Sequence, residues 1–337
     1  MPVITLDTEV EFARIVNEMT RRRLLAGGLG AAALFGLAAC GSTGDGPAST
    51  SETPPSRRVD TAKGPINVPA NPTRVVSIQP SATATLYDLG VDPVGVYDQG
   101  AQYISPRYAS KWTAAPKIGN AGEVQIEKVA ALKPDLIIGA DYPWNTKAYD
   151  KLSAIAPTVI IPVTSWQASA KTTAEAVNKL DALDALDKRV AARNDAIKTK
   201  HADILGRYRW NILQGGFDNG QFWVYGLESE VGKILSAAGV QFATASKETS
   251  GGANRKVSYE QIDILADADV IGFYSGYDGN PNNKGPELFA QTGFKQLASV
   301  RATRLVPFPD FLPGGYGDAL AVLDQLETGL TKLAGAA

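Results

Sequence analysis

The chain reads as an α/β protein of two lobes, each with a mostly parallel sheet, joined by one long rigid α-helix. Three observations predict this. Short apolar runs alternate with helical patterns from Arg74 to Val163, and again from Trp210 to Phe308; that order makes parallel sheets covered by helices. Residues 126–140, IEKVAALKPDLIIGA, return in altered form at 259–273 as YEQIDILADADVIGF. Between the two stretches, residues 173–205 contain no Pro or Gly and are densely charged. Their Val177, Leu180, Leu183, Leu186, Val190, Ile197 and Ile204 recur at steps of three, four or seven, the stripe of one amphipathic helix. At 1.5 Å per residue it would span about 50 Å.

In the first half, Arg74–Ile78 (RVVSI) is expected as a buried strand, followed by a helix ending at Leu89-Gly90. Pro93–Val96 is a second strand. Ile126–Leu132 has helical period and Pro134 stops it. Leu136–Gly139 is a strand, Tyr149–Ile155 a helix and Thr158–Val163 a strand. In the second half, Trp210–Gln214 is a strand and Val231–Gly239 a helix closed by glycine. Tyr259–Leu265 is a helix, Asp269–Phe273 and Arg304–Phe308 are strands, and Asp318–Leu333 is the last helix. The halves match in order: Leu86–Val91 with Leu235–Val240, Glu127 with Glu260, Asp135 with Asp269, and IIPV at 160–163 with LVPF at 305–308. The expected division is a lobe over 59–171, a connecting helix over 172–206 and a lobe over 207–337.

The segment before the first lobe has a different character. Arg21–Arg23 precede an apolar run from Leu24 to Ala39, and small residues lead into Cys40, the layout of an export signal. Leu37-Ala-Ala-Cys40-Gly41 resembles the lipobox of bacterial lipoproteins, whose cysteine is lipidated after cleavage, and TRRRLL at 20–25 resembles a twin-arginine signal. Residues 19–39 are thus expected as the signal, with 1–18 preceding the natural start at Met19. Residues 40–58, rich in Gly, Ser, Thr and Pro, are expected as a flexible tether to the outer face of the cytoplasmic membrane.

Composition narrows the function. The formal net charge is −2, so no basic surplus suits nucleic acid. One cysteine and one histidine exclude a disulfide framework and a Cys/His zinc cage. His201 lies among charges in the long helix, where a structural, solvated role is expected. No GxSxG elbow is present, so a secreted hydrolase is disfavoured, and no catalytic residue or resident metal is assigned. Asp278-Gly-Asn280-Pro-Asn282 has the opening of a calcium loop, but Asn283 replaces its glycine and Phe289 its closing glutamate.

Ligands of such sheets bind outside the carboxyl ends of the strands. The loops there are rich in rings: Tyr97 after the second strand, Tyr142 and Trp144 after Gly139, and Trp166 after Val163. In the second half stand Phe217 and Trp223, then Tyr274 and Tyr277, then Phe308 and Asp310, with Arg255 the cation of the GGANR stretch. These eleven residues are the candidate ligand site, suited to a bulky ligand of mixed polarity. Glu127 and Glu260 each open a helix, where a carboxylate favours the helix dipole and Ser258–Gln261 forms a capping box. As a matched pair they could also dock a basic partner, setting orientation more than strength.

The chain resembles the substrate-binding lipoproteins of bacterial ABC importers, in the branch that binds ferric siderophores, haem and cobalamin. The resemblance covers roughly 59–335 and rests on Pro72-Thr-Arg74-Val-Val, Leu89-Gly90-Val-Asp-Pro93-Val-Gly95-Val, Ile126-Glu127-Lys-Val-Ala-Ala-Leu-Lys-Pro134-Asp135-Leu-Ile-Ile and Val257-Ser258-Tyr-Glu260-Gln. It implies two α/β lobes bridged by a long helix, no catalysis, and Glu127 and Glu260 docking on arginines of the permease, which works with an ATPase. Cobalamin-binding relatives carry tryptophan six residues before each glutamate; here Ala121 and Asn254 stand there. Haem would need a tyrosine ligand such as Tyr97, Tyr274 or Tyr277. A ferric siderophore fits the resemblance best, because its own oxygens saturate the iron. The reading from another class is a surface module that binds a protein through the ring-lined cleft.

Overall fold

The computed structural model describes residues 55–120, 122–249 and 252–335. The expectations for the segment 1–18, the signal 19–39, Cys40 and most of the tether lie outside the described residues. Order begins earlier than Val59. Strand β1 (Ser56–Val59) pairs antiparallel with β2 (Ile66–Pro69). The Arg57 guanidinium reaches across to donate to the Ala70 carbonyl at 2.9 Å and the Ala176 carbonyl at 3.1 Å. Arg57 thereby ties a stretch expected to be free onto the first lobe.

The N-terminal sheet has the order β6-β5-β4-β3-β7-β8. Its strands are β3 (Val75–Ser77), β4 (Gly95–Asp98), β5 (Lys117–Asn120), β6 (Glu123–Val124), β7 (Leu136–Ala140) and β8 (Thr158–Ile161). All pair in parallel except β6, which returns antiparallel along β5. Every residue of β7 and β8 is buried, which is why both read as unbroken apolar runs. The lobe's helices are α1 (Pro80–Asp88), α2 (Ala109–Ala114), α3 (Ile126–Ala131), α4 (Pro143–Ile155) and α5 (Trp166–Val177).

The connection differs from the one helix expected over 173–205. Residues 173–177 belong to α5, and Asn178 then takes a left-handed φ of 58°. Asparagine tolerates that conformation, and its side chain donates to Asn71 Oδ1 at 2.9 Å. Helix α6 (Leu180–Lys200) follows with 21 residues, about 30 Å at the usual rise. A break at His201 separates it from α7 (Ala202–Arg207). Contrary to expectation, His201 is buried, with Nε2 3.5 Å from Glu327 Oε1.

The C-terminal sheet runs β12-β10-β9-β13-β14, with β11 beside β9. Its strands are β9 (Arg209–Gly215), β10 (Gln221–Tyr225), β11 (Gln241–Phe242), β12 (Asn254–Ser258), β13 (Val270–Tyr274) and β14 (Leu305–Phe308). β9, β13 and β14 are parallel; β10 is antiparallel to both β9 and β12. The sequence reading places Trp223 and Arg255 among the strand-end loops, whereas residues 221–225 and 254–258 are strands. They form an antiparallel edge in which Phe222 and Val224 point inward and Trp223 and Tyr225 stay half-exposed. Around the sheet lie α8 (Glu230–Ala237), α9 (Thr244–Lys247), a 3-10 helix (Tyr259–Leu265), α10 (Gly285–Ala290), α11 (Thr292–Gln296), α12 (Ala298–Arg301) and α13 (Tyr316–Gly335).

The repeat seen in the sequence has a physical basis. Gly90 and Gly239 both adopt positive φ, 74° and 93°, just past α1 and α8. After each, the next amide bonds back to the helix: Val91 N to Leu86 O at 2.8 Å, and Val240 N to Leu235 O at 3.0 Å. This is the same glycine-closed cap in both lobes. Asp135 and Asp269 repeat as well. Each carboxylate accepts the backbone N–H at the start of the neighbouring strand, from Arg74 at 2.9 Å and Arg209 at 2.9 Å.

One apolar core runs through both lobes, from Val75, Leu86 and Leu136 to Trp210, Ile212 and Phe308. Helix α13 seals it with Ala319, Val322, Leu323, Leu326 and Leu330, all fully buried at helical spacing. Each leucine contributes about 2 kcal/mol of burial. A core shared this way resists wide separation of the lobes.

Candidate functional site

The carboxyl ends of the parallel strands of both lobes open onto one cavity of about 410 Å³. Its N-terminal wall begins at Gln79, between β3 and α1, and continues with Thr83, Ala84 and Tyr87 of α1. Pro80 supplies the first helical residue, where its missing N–H costs nothing. Tyr97 at the end of β4 and the β4–β5 connection, with Tyr103, Tyr108 and Trp112, complete this wall. The facing wall comes from Tyr274 at the end of β13, Tyr277 beyond it, and Asp310, Leu312 and Asp318 after β14. Tyr103, Tyr277 and Leu312 are exposed and rim the mouth.

Polar groups divide by wall. On the N-terminal side, Tyr87 Oη and Trp112 Nε1 are buried with no hydrogen-bond partner among the described residues. Burial first, and Asp92 second, push the Tyr87 hydroxyl up to about 12, so it remains a neutral donor. On the C-terminal side stand two carboxylates. Arg107 bridges them, with Nη2 2.9 Å from Asp310 Oδ1 and Nη1 2.6 Å from Asp318 Oδ1. Asp310 also accepts from Tyr277 Oη at 2.9 Å and from Gln325 Nε2 at 2.6 Å. Burial opposes the charge on Arg107, but the carboxylates of Asp310 and Asp318 hold its pKa above the ordinary arginine value. Burial pushes the Asp318 carboxyl up to about 6 against the pull of Arg107. Beside this cluster, Asp88 of α1 accepts from Tyr108 Oη and, at 2.8 Å, from the Gly317 amide of α13.

Five of the eleven candidate residues, Tyr97, Tyr142, Tyr274, Tyr277 and Asp310, line this cavity. The other six do not. Trp144 lies behind Tyr142, stacked on it with centroids 4.8 Å apart and planes 3° from parallel. Trp166 is buried at the start of α5, edge-on to Tyr316 at 4.8 Å. Phe308 is fully buried in the core. Trp223 and Arg255 sit on β10 and β12, where the register sets Trp223 opposite Lys256 and Val224 opposite Arg255. Those strands form the far edge of the sheet, beyond β9, whereas the cavity draws on β13 and β14. Phe217 is 67% exposed in the turn between β9 and β10.

What the sequence reading missed is the β4–β5 connection, with Arg107 as the cation at the cleft. The signal was present: GAQYISPRYASKW, residues 100–112, holds three aromatics and an arginine.

Glu127 and Glu260 are both exposed, each in the first turn of its helix. Ser258 Oγ accepts from the Glu260 amide at 3.3 Å, a cap on a 3-10 rather than an α-helix. The β12 register puts Glu260 at the same sheet edge as the ends of β9 and β13. Glu127 follows the β5–β6 return, an interruption the sequence reading did not foresee. Among the described residues no His, Cys, Asp or Glu cluster is arranged to hold a metal ion, and no helix is long and apolar enough to cross a membrane.

The family model described as "Periplasmic binding protein" matches residues 75–309. The "Probable siderophore-binding lipoprotein YfiY" of Bacillus subtilis (strain 168) is 30% identical over 324 residues, 89% of this chain and 95% of that protein. The "Iron(3+)-hydroxamate-binding protein YxeB" of the same organism is 28% identical, over 88% of this chain and 89% of its own. Among solved structures, the siderophore periplasmic binding protein from the fuscachelin gene cluster of Thermobifida fusca superposes with a TM-score of 0.69 at 27% identity, covering 78% of this chain and 98% of that one. A two-lobed α/β body with an open cleft at its strand ends and a family match across both lobes lead to one conclusion: the chain belongs to the periplasmic binding protein family.

Proposed function

We propose that this protein captures a ferric siderophore in the cleft between its lobes and presents it to the permease of an ABC importer, held at the membrane by a lipid on Cys40. The observation that carries the reading is the cavity itself. It is walled by tyrosines and one tryptophan, rimmed by exposed apolar side chains, and backed by buried donors that have no partner among the described residues. Such a wall suits a bulky chelate that brings its own iron ligands. Relatives spanning nearly the whole chain are named for siderophore and iron-hydroxamate binding, which supports the same reading.

In this reading Tyr97, Tyr142, Tyr274 and Tyr277 contact the chelate together with Tyr87, Tyr103, Tyr108 and Trp112. The shared core and the Arg107 bridge favour a small closure of the lobes rather than a wide swing. The protein binds and delivers, and no chemical step is assigned to it. Glu127 and Glu260 serve as one foot per lobe for the permease, and the energy for release comes from the importer's ATPase. Fluorescence titration with ferric siderophores, haem and cobalamin tests the proposal. Saturable quenching by at least one ferric siderophore, and none by haem or cobalamin, is expected. Binding of haem or cobalamin alone would move the protein to another ligand of the same transporter type. Quenching by none of them would favour a module that binds protein.

A further inference from the structure

We infer that the cleft selects ferric chelates of zero or positive net charge, of the hydroxamate type, and discriminates against polyanionic ones. The inference rests on the ferric-siderophore reading above and names the class within it.

The charges on the walls carry the argument. Among the described residues no lysine or arginine lines the cavity, whereas Asp310 and Asp318 both do. The nearest cation, Arg107, has both arms committed to those carboxylates at 2.9 and 2.6 Å. To meet an anionic ligand it would have to abandon them and leave two acids unpaired beside that ligand. Two other nearby amines do not line the cavity. Lys111 Nζ pairs with Asp92 at 2.7 Å, and Lys117 Nζ donates to the Ala115 carbonyl at 2.6 Å behind the Trp112 ring. Asp88 adds a further carboxylate within the Arg107 cluster, off the cavity lining, where Arg189 acts on it as well. Arg255, the one cation of the candidate site read from the sequence, is held away from the cavity on β12.

The second observation is independent of charge. Tyr87 and Trp112 are each 7% exposed and line the cavity with their rings, while their Oη and Nε1 lie just beneath its surface and have no partner among the described residues. A buried donor without an acceptor is an unmet demand, and a small turn of either ring as the ligand enters would let a ligand oxygen fill it. The cleft therefore asks for acceptor oxygens on its N-terminal wall and tolerates positive, but not negative, charge on its C-terminal wall. Three singly deprotonated hydroxamates balance ferric iron and present carbonyl-type oxygens, and a pendant amine makes the complex a cation. Catecholate and citrate complexes keep net negative charge, which like-charge repulsion at the carboxylate wall penalises.

The test uses the purified protein and three probes of graded charge at neutral pH and low salt: ferrioxamine B, a cation; its N-acetyl derivative, which is neutral; and a ferric tris-catecholate, a trianion. The first two are expected to bind, the cation the tighter, with the trianion at least about a hundredfold weaker than either. Equal or tighter binding of the trianion overturns the inference while leaving the siderophore reading intact. Binding of none of the three overturns both. Asp318→Asn should narrow the gap between trianion and cation by about tenfold or more, since it removes one negative charge from the wall while Arg107 keeps its positive one. An unchanged gap removes the carboxylates from the explanation. Should that variant fail to fold, the wild type in rising salt decides. The preference for ferrioxamine B over its acetylated twin must shrink with ionic strength, and a constant preference sinks the charge argument.

Discussion

Arg107, in the N-terminal lobe, stands 2.9 Å from Asp310 in the C-terminal lobe, and its other arm reaches Asp318 at 2.6 Å. The pairs close one side of the cleft and make the walls mechanically dependent on each other. Arg107→Gln would leave two largely buried carboxylates without their cation. It is expected to cost about 2–4 kcal/mol in urea unfolding, because removing one member of a desolvated pair strands the rest. The exposed pair Lys111–Asp92 offers a control: Lys111→Gln should change stability by less than about 1 kcal/mol.

Gly317 makes the neighbouring contact between lobes. Its amide donates to Asp88 Oδ2 at 2.8 Å, and a Cβ at this position would overlap Tyr108 Oη and Asp88 Oδ1. Gly317→Ala should therefore push α13 off α1, destabilising by about 1–3 kcal/mol and weakening ligand binding together. Calorimetric melting and a ligand titration on the same preparation would check this; an unaltered melting temperature would mean the contact is loose.

Asp318 sets a pH dependence whose sign follows from burial. Its folded-state pKa is raised from 3.8 to about 6, so in that window the folded state holds the proton more tightly than the unfolded chain. Its contribution is thus favourable at low pH and is lost as pH rises toward 6. Asp88, Asp310, Tyr108 and Arg107 all act on it, and Asp88 is raised by burial in the same direction. Relative to Asp318→Asn, the wild type should lose stability between about pH 4 and 6 and run parallel above 7, as measured by urea unfolding across that range. Glu327 works oppositely. Bonds from Lys200 and Arg193 lower it to about 2, so its contribution is present above 4.5 and lost as pH falls from there.

The tryptophans separate by position. Trp112→Phe trims a ring of the cavity wall and removes its Nε1, a donor with no partner among the described residues, and should weaken binding of a ferric siderophore about tenfold, the cost of one hydrogen bond. Trp223→Phe, on the far sheet edge under Lys256, should leave affinity unchanged. Equal effects from the two would remove the cavity from consideration.

Glu127 and Glu260 are exposed and make no ion pair among the described residues. Reversing both, with Glu127→Arg and Glu260→Arg, is expected to abolish uptake of labelled ferric siderophore in cells while ligand affinity of the purified protein stays within about twofold. Normal uptake by the double variant would remove their docking role.

The two-lobed plan was legible because its signals are local. Gly90 and Gly239 close their helices with the same left-handed turn, and Asp135 and Asp269 cap strands alike, so sequence similarity alone exposed the repeat. The break at Asn178 was not legible, since an asparagine inside an unbroken charged pattern looks helical until its backbone is seen. Nor was the antiparallel edge of β10 and β12, which is stabilised by cross-strand pairing between residues far apart in the chain.

Periodicity, glycine and proline punctuation, and the doubled motif decided the lobes, their long helical link and the strand-end location of the cleft, because each depends on neighbours within a few turns of chain. Which rings face that cleft was a matter of strand order and register. Trp223 and Tyr274 look equivalent in one dimension, yet one lies on β10 near the far edge and the other ends β13 at the cavity. The ion pairs of Arg107 with Asp310 and Asp318 join residues more than two hundred positions apart. A charge finds such partners only after the sheets have set their distance, so the electrostatics of the site belonged to the folded molecule alone.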